Sequence, residues 1–134
     1  MSADPINDER TFDDAALKHW ELLGIELRQD VDKFNRDQGG SAAFNQAGST
    51  EYAVSSPDSG LEVRIAADTE NHIIRYEFVR MNDNSAGAPE GGILSMRAGR
   101  DGVEFFSADE PVTPSEARSL LLDPVLNPPG SKAA

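Results

Sequence analysis

The sequence predicts an α+β domain: a long N-terminal helix packed on one face of a roughly five-stranded antiparallel meander sheet, with a short C-terminal helix. Three observations carry this expectation. One apolar stripe recurs at helical spacing from Phe12 to Phe34. From Tyr52 onward the apolar period changes to two. A helix start signal, "TPSE" at residues 113–116, follows the last alternating run.

The first helix is expected to begin at Thr11, a residue type suited to an N-cap, with Asp13 and Asp14 in the first turn where carboxylates favour the helix dipole. At 100° per residue, Phe12, Ala16, Trp20, Leu23, Leu27, Val31 and Phe34 fall within about 100° of one another, the width of a core-facing stripe. Lys33 and Arg36 occupy the last turn and Gly39 and Gly40 stop the helix, giving about 25 residues. The segment "SAAFNQAGST", residues 41–50, is small and polar and reads as a connection.

In the alternating region, Leu61, Val63 and Ile65 oppose Glu62 and Arg64, and Ile74, Tyr76 and Phe78 oppose Arg75 and Glu77. Leu94 and Met96 oppose Ser95 and Arg97, and Val103 and Phe105 oppose Glu104. Turn chemistry at "SPDSG", "DTEN" and "GRDG" separates these runs, and such short connections join antiparallel neighbours. The connection from Met81 to Gly92 is longer and rich in Gly and Asn, and is expected to be a surface excursion. Thr113, Pro114 and Glu116 form a capping-box pattern, from which a short helix is expected to run through Leu122 before Pro124 breaks it. Residues 1–10 read as a loose arm, 11–126 as one domain and 127–134 as a disordered tail.

Twenty-four acidic residues against twelve basic ones give a net charge of −12. Phosphate backbones and anionic membranes are repelled by such a surface, so neither nucleic acid nor a membrane is an expected partner. With no cysteine in the chain, disulfides, thiol nucleophiles and thiolate metal sites are all excluded. No apolar run approaches a membrane span, and a cytoplasmic location is expected.

The phosphate-binding and nucleophile-elbow signatures do not occur. A calcium loop started at Asn82 places Ala86 at its fifth position and Ile93 at its twelfth, where a bidentate Glu is required. His19 lines one flank of the long helix with Glu26, Asp30 and Asp37, but His19 and Glu26 stand roughly 10 Å apart along the axis and cannot share a metal unaided. Glu26 and Asp30 are like charges at i, i+4 and call for a cation. No catalytic residue, metal or cofactor is therefore assigned, and the enzyme reading is the weaker one.

Leu22 and Ile25 lie about 120° from the centre of the apolar stripe, where the sheet that covers Trp20 and Leu27 does not reach. Three readings are weighed: the aliphatic segment Ala117 to Leu126 wrapped over the helix back, another chain docked there, or simple exposure of two isolated aliphatic side chains. At the level of architecture, a small acidic α+β domain is similar to the secretion chaperones that dimerise and bind extended effector segments. Those interrupt their sheet with a helix, whereas Met81 to Gly92 has too much Gly and Asn for one, so no residue roles are carried across. The function expected is non-enzymatic binding of a protein or peptide, as a chaperone-like homodimer or with another partner, through Leu22 and Ile25. The alternative is a small-molecule or catalytic pocket between helix and sheet, floored by Tyr76, Phe78, Met96 and Phe105.

Overall fold

The computed structural model describes residues 9–81, 88–99 and 102–126. Its elements are α1 (Glu9–Gln38), β1 (Ala43–Gln46), β2 (Glu51–Ser56), β3 (Leu61–Asp68), β4 (Ile73–Arg80), β5 (Gly92–Gly99), β6 (Gly102–Ser107), β7 (Glu110–Val112) and α2 (Pro114–Leu126). The strands form one antiparallel sheet in simple sequence order, β1 to β7. The α+β class and the meander are as the sequence predicts, but the described strands number seven rather than five. The two additional strands are the sheet's edges, β1 from the segment read as a connection and the three-residue β7. Of the expected arm and tail, residues 1–8 and 127–134 lie outside the described residues, as do residues 82–87 of the long connection.

The stripe on α1 is the core face. Ala16, Trp20, Leu23, Leu27 and Val31 are buried, with Phe12 and Phe34 half-buried at its ends. The helix has begun by Glu9, so Thr11 lies inside it instead of capping it. Threonine within a helix costs under about 1 kcal/mol, which a helix of this length tolerates. At the other end Gly39 takes a left-handed conformation (φ 67°), and its N–H donates to the Asn35 carbonyl at 2.9 Å, closing the last turn.

Register places one apolar row after another on the inner face of the sheet. Val54, Val63 and Phe78 are directly opposed, as are Tyr52, Ile65 and Tyr76, and Met96 faces Phe105. Both helices pack on this face, α1 against β1 and β6 and α2 against β2 and β3. The outer face carries the alternate residues. There Arg64 Nε donates to Glu62 Oε1 at 3.0 Å along its own strand, and Arg97 stands opposite Glu104 while reaching Asp109 at 2.6 Å.

The predicted capping box forms at α2. Glu116 N–H donates to Thr113 Oγ1 at 3.0 Å, and Thr113 N–H donates back to Glu116 Oε1 at 2.8 Å. The helix does not stop before Pro124: it continues to Leu126. An interior proline costs about 3 kcal/mol, whereas burying Val125 and Leu126 recovers about 1.5–3 kcal/mol each, so packing overrides the local break.

Because Leu27 is fully buried between α1 and the sheet, Leu27→Ala is expected to destabilise the fold by about 2–5 kcal/mol in chemical denaturation. A loss below about 1 kcal/mol would show that this layer is not close-packed.

Candidate functional site

Leu22 and Ile25 point away from the core, 47% and 55% exposed. The C-terminal segment does not cover them. α2 lies beside α1 on the same sheet face, with Ala117, Leu121, Leu122 and Val125 turned into the shared core. Its aliphatic residues answer to the sheet, leaving the back of α1 without a covering layer among the described residues.

Ile25 borders a groove of about 450 Å³ between α1 and β1, whose lining includes Glu21, Gly24, Arg28, Asp32, Phe44 and Tyr52. Leu22, one turn back and rotated toward α2, does not line it. At Gly24 the helix backbone comes down onto the Tyr52 ring, which a Cβ at this position would overlap. Tyr52 in turn stacks on Trp20 with ring centroids 4.1 Å apart, and the Arg28 guanidinium lies 5.2 Å from the centroid of Phe44.

β1 forms the groove's second wall and is the open edge of the sheet. Ala47 N–H donates to Glu51 O at 2.9 Å, and the antiparallel register pairs Phe44 with Val54 and Gln46 with Tyr52. Alternation from that bond turns the backbone groups of Ala43 and Asn45 toward β2, and those of Phe44 and Gln46 outward. The start of the strand is clasped to the end of α1. Asn35 Nδ2 donates to Ala42 O, and Ala42 N–H donates to Asn35 Oδ1, both at 2.9 Å. β1 leaves little trace in the sequence, because only Phe44 among its four residues turns an apolar side chain to the core.

On the opposite flank of α1, the like-charged pair Glu26 and Asp30 has its cation. Arg118 from α2 donates to Asp30 Oδ2 at 2.7 Å and to Glu26 Oε1 at 3.1 Å. Asp37 pairs with Lys33 at 2.5 Å, and that contact holds its carboxyl below the ordinary range. His19 packs edge-on against Phe105. The polar flank is thus a helix-to-helix ion-pair seam. Among the described residues, no group of three or more His, Asp or Glu is placed to hold a metal ion.

The four residues expected to floor an inner pocket are not gathered round one cavity. Phe78, Met96 and Phe105 are buried in the core, and Tyr76 is half-buried, edge-on to Phe78. Met96 lines a depression with Asp13, Leu17, Trp20 and Glu70. Tyr76 borders a separate groove of about 760 Å³, lined by Ala53, Arg64, Ala66, Arg75 and Ile93. Those five side chains belong to the outer face by register, so this groove lies on the side of the sheet away from the helices.

Burial, followed by the nearby Glu21 charge, pushes the Tyr52 phenol up to about 12; burial also raises Tyr76. An unfolded tyrosine ionises near 10. Between about 10 and 12 the unfolded chain therefore gains charge that the folded chain refuses, so stability present below pH 10 is lost as pH rises. Absorbance titration of the folded protein is expected to place tyrosinate formation above the ordinary phenol range; a midpoint at the ordinary value without unfolding would contradict the burial of both rings. For the ion-pair seam, Arg118→Met is expected to cost about 1–2 kcal/mol by denaturation, a loss that high salt reduces. An unchanged midpoint at low salt would show that the seam contributes nothing.

No family model, no curated protein and no solved structure matches the chain, so the functional reading rests on its own geometry.

Proposed function

We propose that this is a cytoplasmic polypeptide-binding domain whose binding surface is the back of α1 together with the groove against β1. The observation that supports this reading most is Ile25, an aliphatic side chain more than half exposed at the rim of a groove floored by aromatic rings. Polypeptide partners are recognised by such combinations of an apolar groove and nearby backbone hydrogen-bonding groups. Leu22 extends the apolar surface along the helix. No side chain of the fold requires either residue to be apolar, since both stand outside the core cluster.

A second reading, small-molecule binding, is favoured by the outer-face groove. There Arg64 and Arg75 line the groove with Ala53 and Ala66, Arg64 bonded to Glu62, and Glu51 and Glu77 share the same lining. A lining of both charge signs suits a compact zwitterionic ligand, and calorimetric titration with a panel of amino acids distinguishes this reading from the first.

The test of the main reading uses a photo-crosslinking amino acid at position 25, with the same group at Asp58 as an exposed control. A discrete polypeptide adduct from position 25 alone is expected, whether to a different protein or to a second copy. The Leu22→Glu, Ile25→Glu double variant is expected to keep its stability within about 1 kcal/mol, because both positions are exposed, while a crosslinker at Gln29 in that variant loses the adduct. Identical adduct patterns at positions 25 and 58 would remove the reading.

A further inference from the structure

We propose that β1 accepts an extended, basic segment of a partner polypeptide as an eighth strand of the sheet. This rests on the polypeptide-binding reading and specifies its geometry and the chemistry of its partner. The first argument is the contrast between the two edges. Sheet edges in stable proteins are ordinarily guarded by charge, by proline or by extreme shortness. β7 has all three, with Glu110, Pro111 and a length of three residues. β1, Ala-Phe-Asn-Gln, has neither a charged residue nor a proline.

The second argument is presentation. Phe44 and Gln46 direct backbone N–H and C=O groups outward, as the Ala47 to Glu51 bond requires. Asn35 clasps the preceding residue, so the edge is ordered before a partner arrives and little conformational freedom is lost on binding. The groove against α1 lies on the inner side of this edge, where alternate side chains of an added strand would meet Phe44 and Ile25.

Charge selects the occupant. The protein carries −12, so a second copy brings like charge to the edge, whereas a basic segment is drawn to it. Locally the groove holds the carboxylates of Glu21 and Asp32, and its one guanidinium, Arg28, is engaged over the Phe44 ring. A Lys or Arg two residues from an apolar residue shares its face in a strand, and such a pair complements this lining. The segment that fits is therefore a strand former whose groove-facing side chains alternate between apolar and basic.

The experiment titrates the full chain with synthetic peptides of about eight residues, the length of a strand that overlaps β1 with flanks. One carries Val and Lys by turns at every second position with Thr between them, one carries Val and Glu in the same places, and one is the first peptide with its two central residues replaced by proline. Amide chemical shifts and hydrogen exchange are read residue by residue, with solution mass by light scattering in parallel. The Lys–Val peptide is expected to protect the Phe44 and Gln46 amides, and the other two peptides are not. Gln46→Pro removes one outward N–H without breaking a β1–β2 bond, and is expected to weaken binding about tenfold or more. Gln46→Lys, on the groove side, keeps every backbone hydrogen bond and is expected to weaken the same peptide by repulsion, which covers the case in which the proline variant does not fold.

Equal binding of the Glu–Val peptide, or of the proline-broken one, would overturn the proposal. So would the absence of protection at Phe44 and Gln46 with the Lys–Val peptide in large excess. A dimer whose edge amides are protected without peptide would overturn it in favour of a second copy. In each of these outcomes a discrete adduct at position 25 leaves the polypeptide-binding reading standing, whereas loss of that adduct removes both.

Discussion

The contact on which the rest of the molecule depends is the stack of Trp20 on Tyr52. Trp20 is fully buried, its ring lies 4.1 Å from that of Tyr52 at an interplanar angle of 13°, and two hydrogen bonds lock the pair. Trp20 Nε1 donates to Ser49 O at 2.8 Å, and Tyr52 O–H donates to Trp20 O at 2.9 Å. Trp20 thus satisfies its polar atom on the turn before β2 and Tyr52 on the backbone of α1, so neither ring carries an unpaired donor into the core. Together these contacts fix where α1 crosses β2. The absence of a side chain at Gly24 follows from the same contact, since the helix must come down onto the tyrosine ring. The Ile25 groove opens immediately beside it.

The two flanks of α1 are built differently. Toward α2, Glu26 and Asp30 would repel each other were it not for Arg118, whose planar guanidinium bonds both. This seam ties two helices separated by the whole sheet in sequence and sets the angle at which α2 lies down. Toward β1 there is no such closure. Gly24, Ile25 and Arg28 leave a depression, and the polar contact nearest its far end is Asn35 holding Ala42. Among the described residues, the flank toward α2 is thus bridged by an ion pair and the flank toward β1 is not.

Much of this was legible in the sequence. The stripe from Ala16 to Val31, the alternation through β3 to β6 and the Thr113–Glu116 capping box are local patterns whose physical meaning does not depend on distant residues. β1 and β7 escaped because an edge strand of three or four residues buries one side chain at most and leaves almost no period to detect. Pro124 misled for the converse reason: the break it encodes is local, but Val125 and Leu126 are held by the sheet. The anomaly of Leu22 and Ile25 was visible on the helical wheel, while the groove beside Ile25 was not, because it requires Phe44 and Tyr52 to arrive from elsewhere in the chain. Arg118 as the cation between Glu26 and Asp30 was likewise out of reach, lying nearly ninety residues away.

Pro111 at the far edge has a consequence for stoichiometry. Sheets that are open on both sides can stack head to tail, each copy's first strand pairing with the next copy's last, and such growth has no natural end. Here the last strand lacks an N–H in its middle and carries a charge beside it. Head-to-tail pairing of β1 with β7 is therefore obstructed. A contact made through β1 is thus not relayed through β7 of the same chain, and the route to head-to-tail filaments is obstructed at the sheet's other edge.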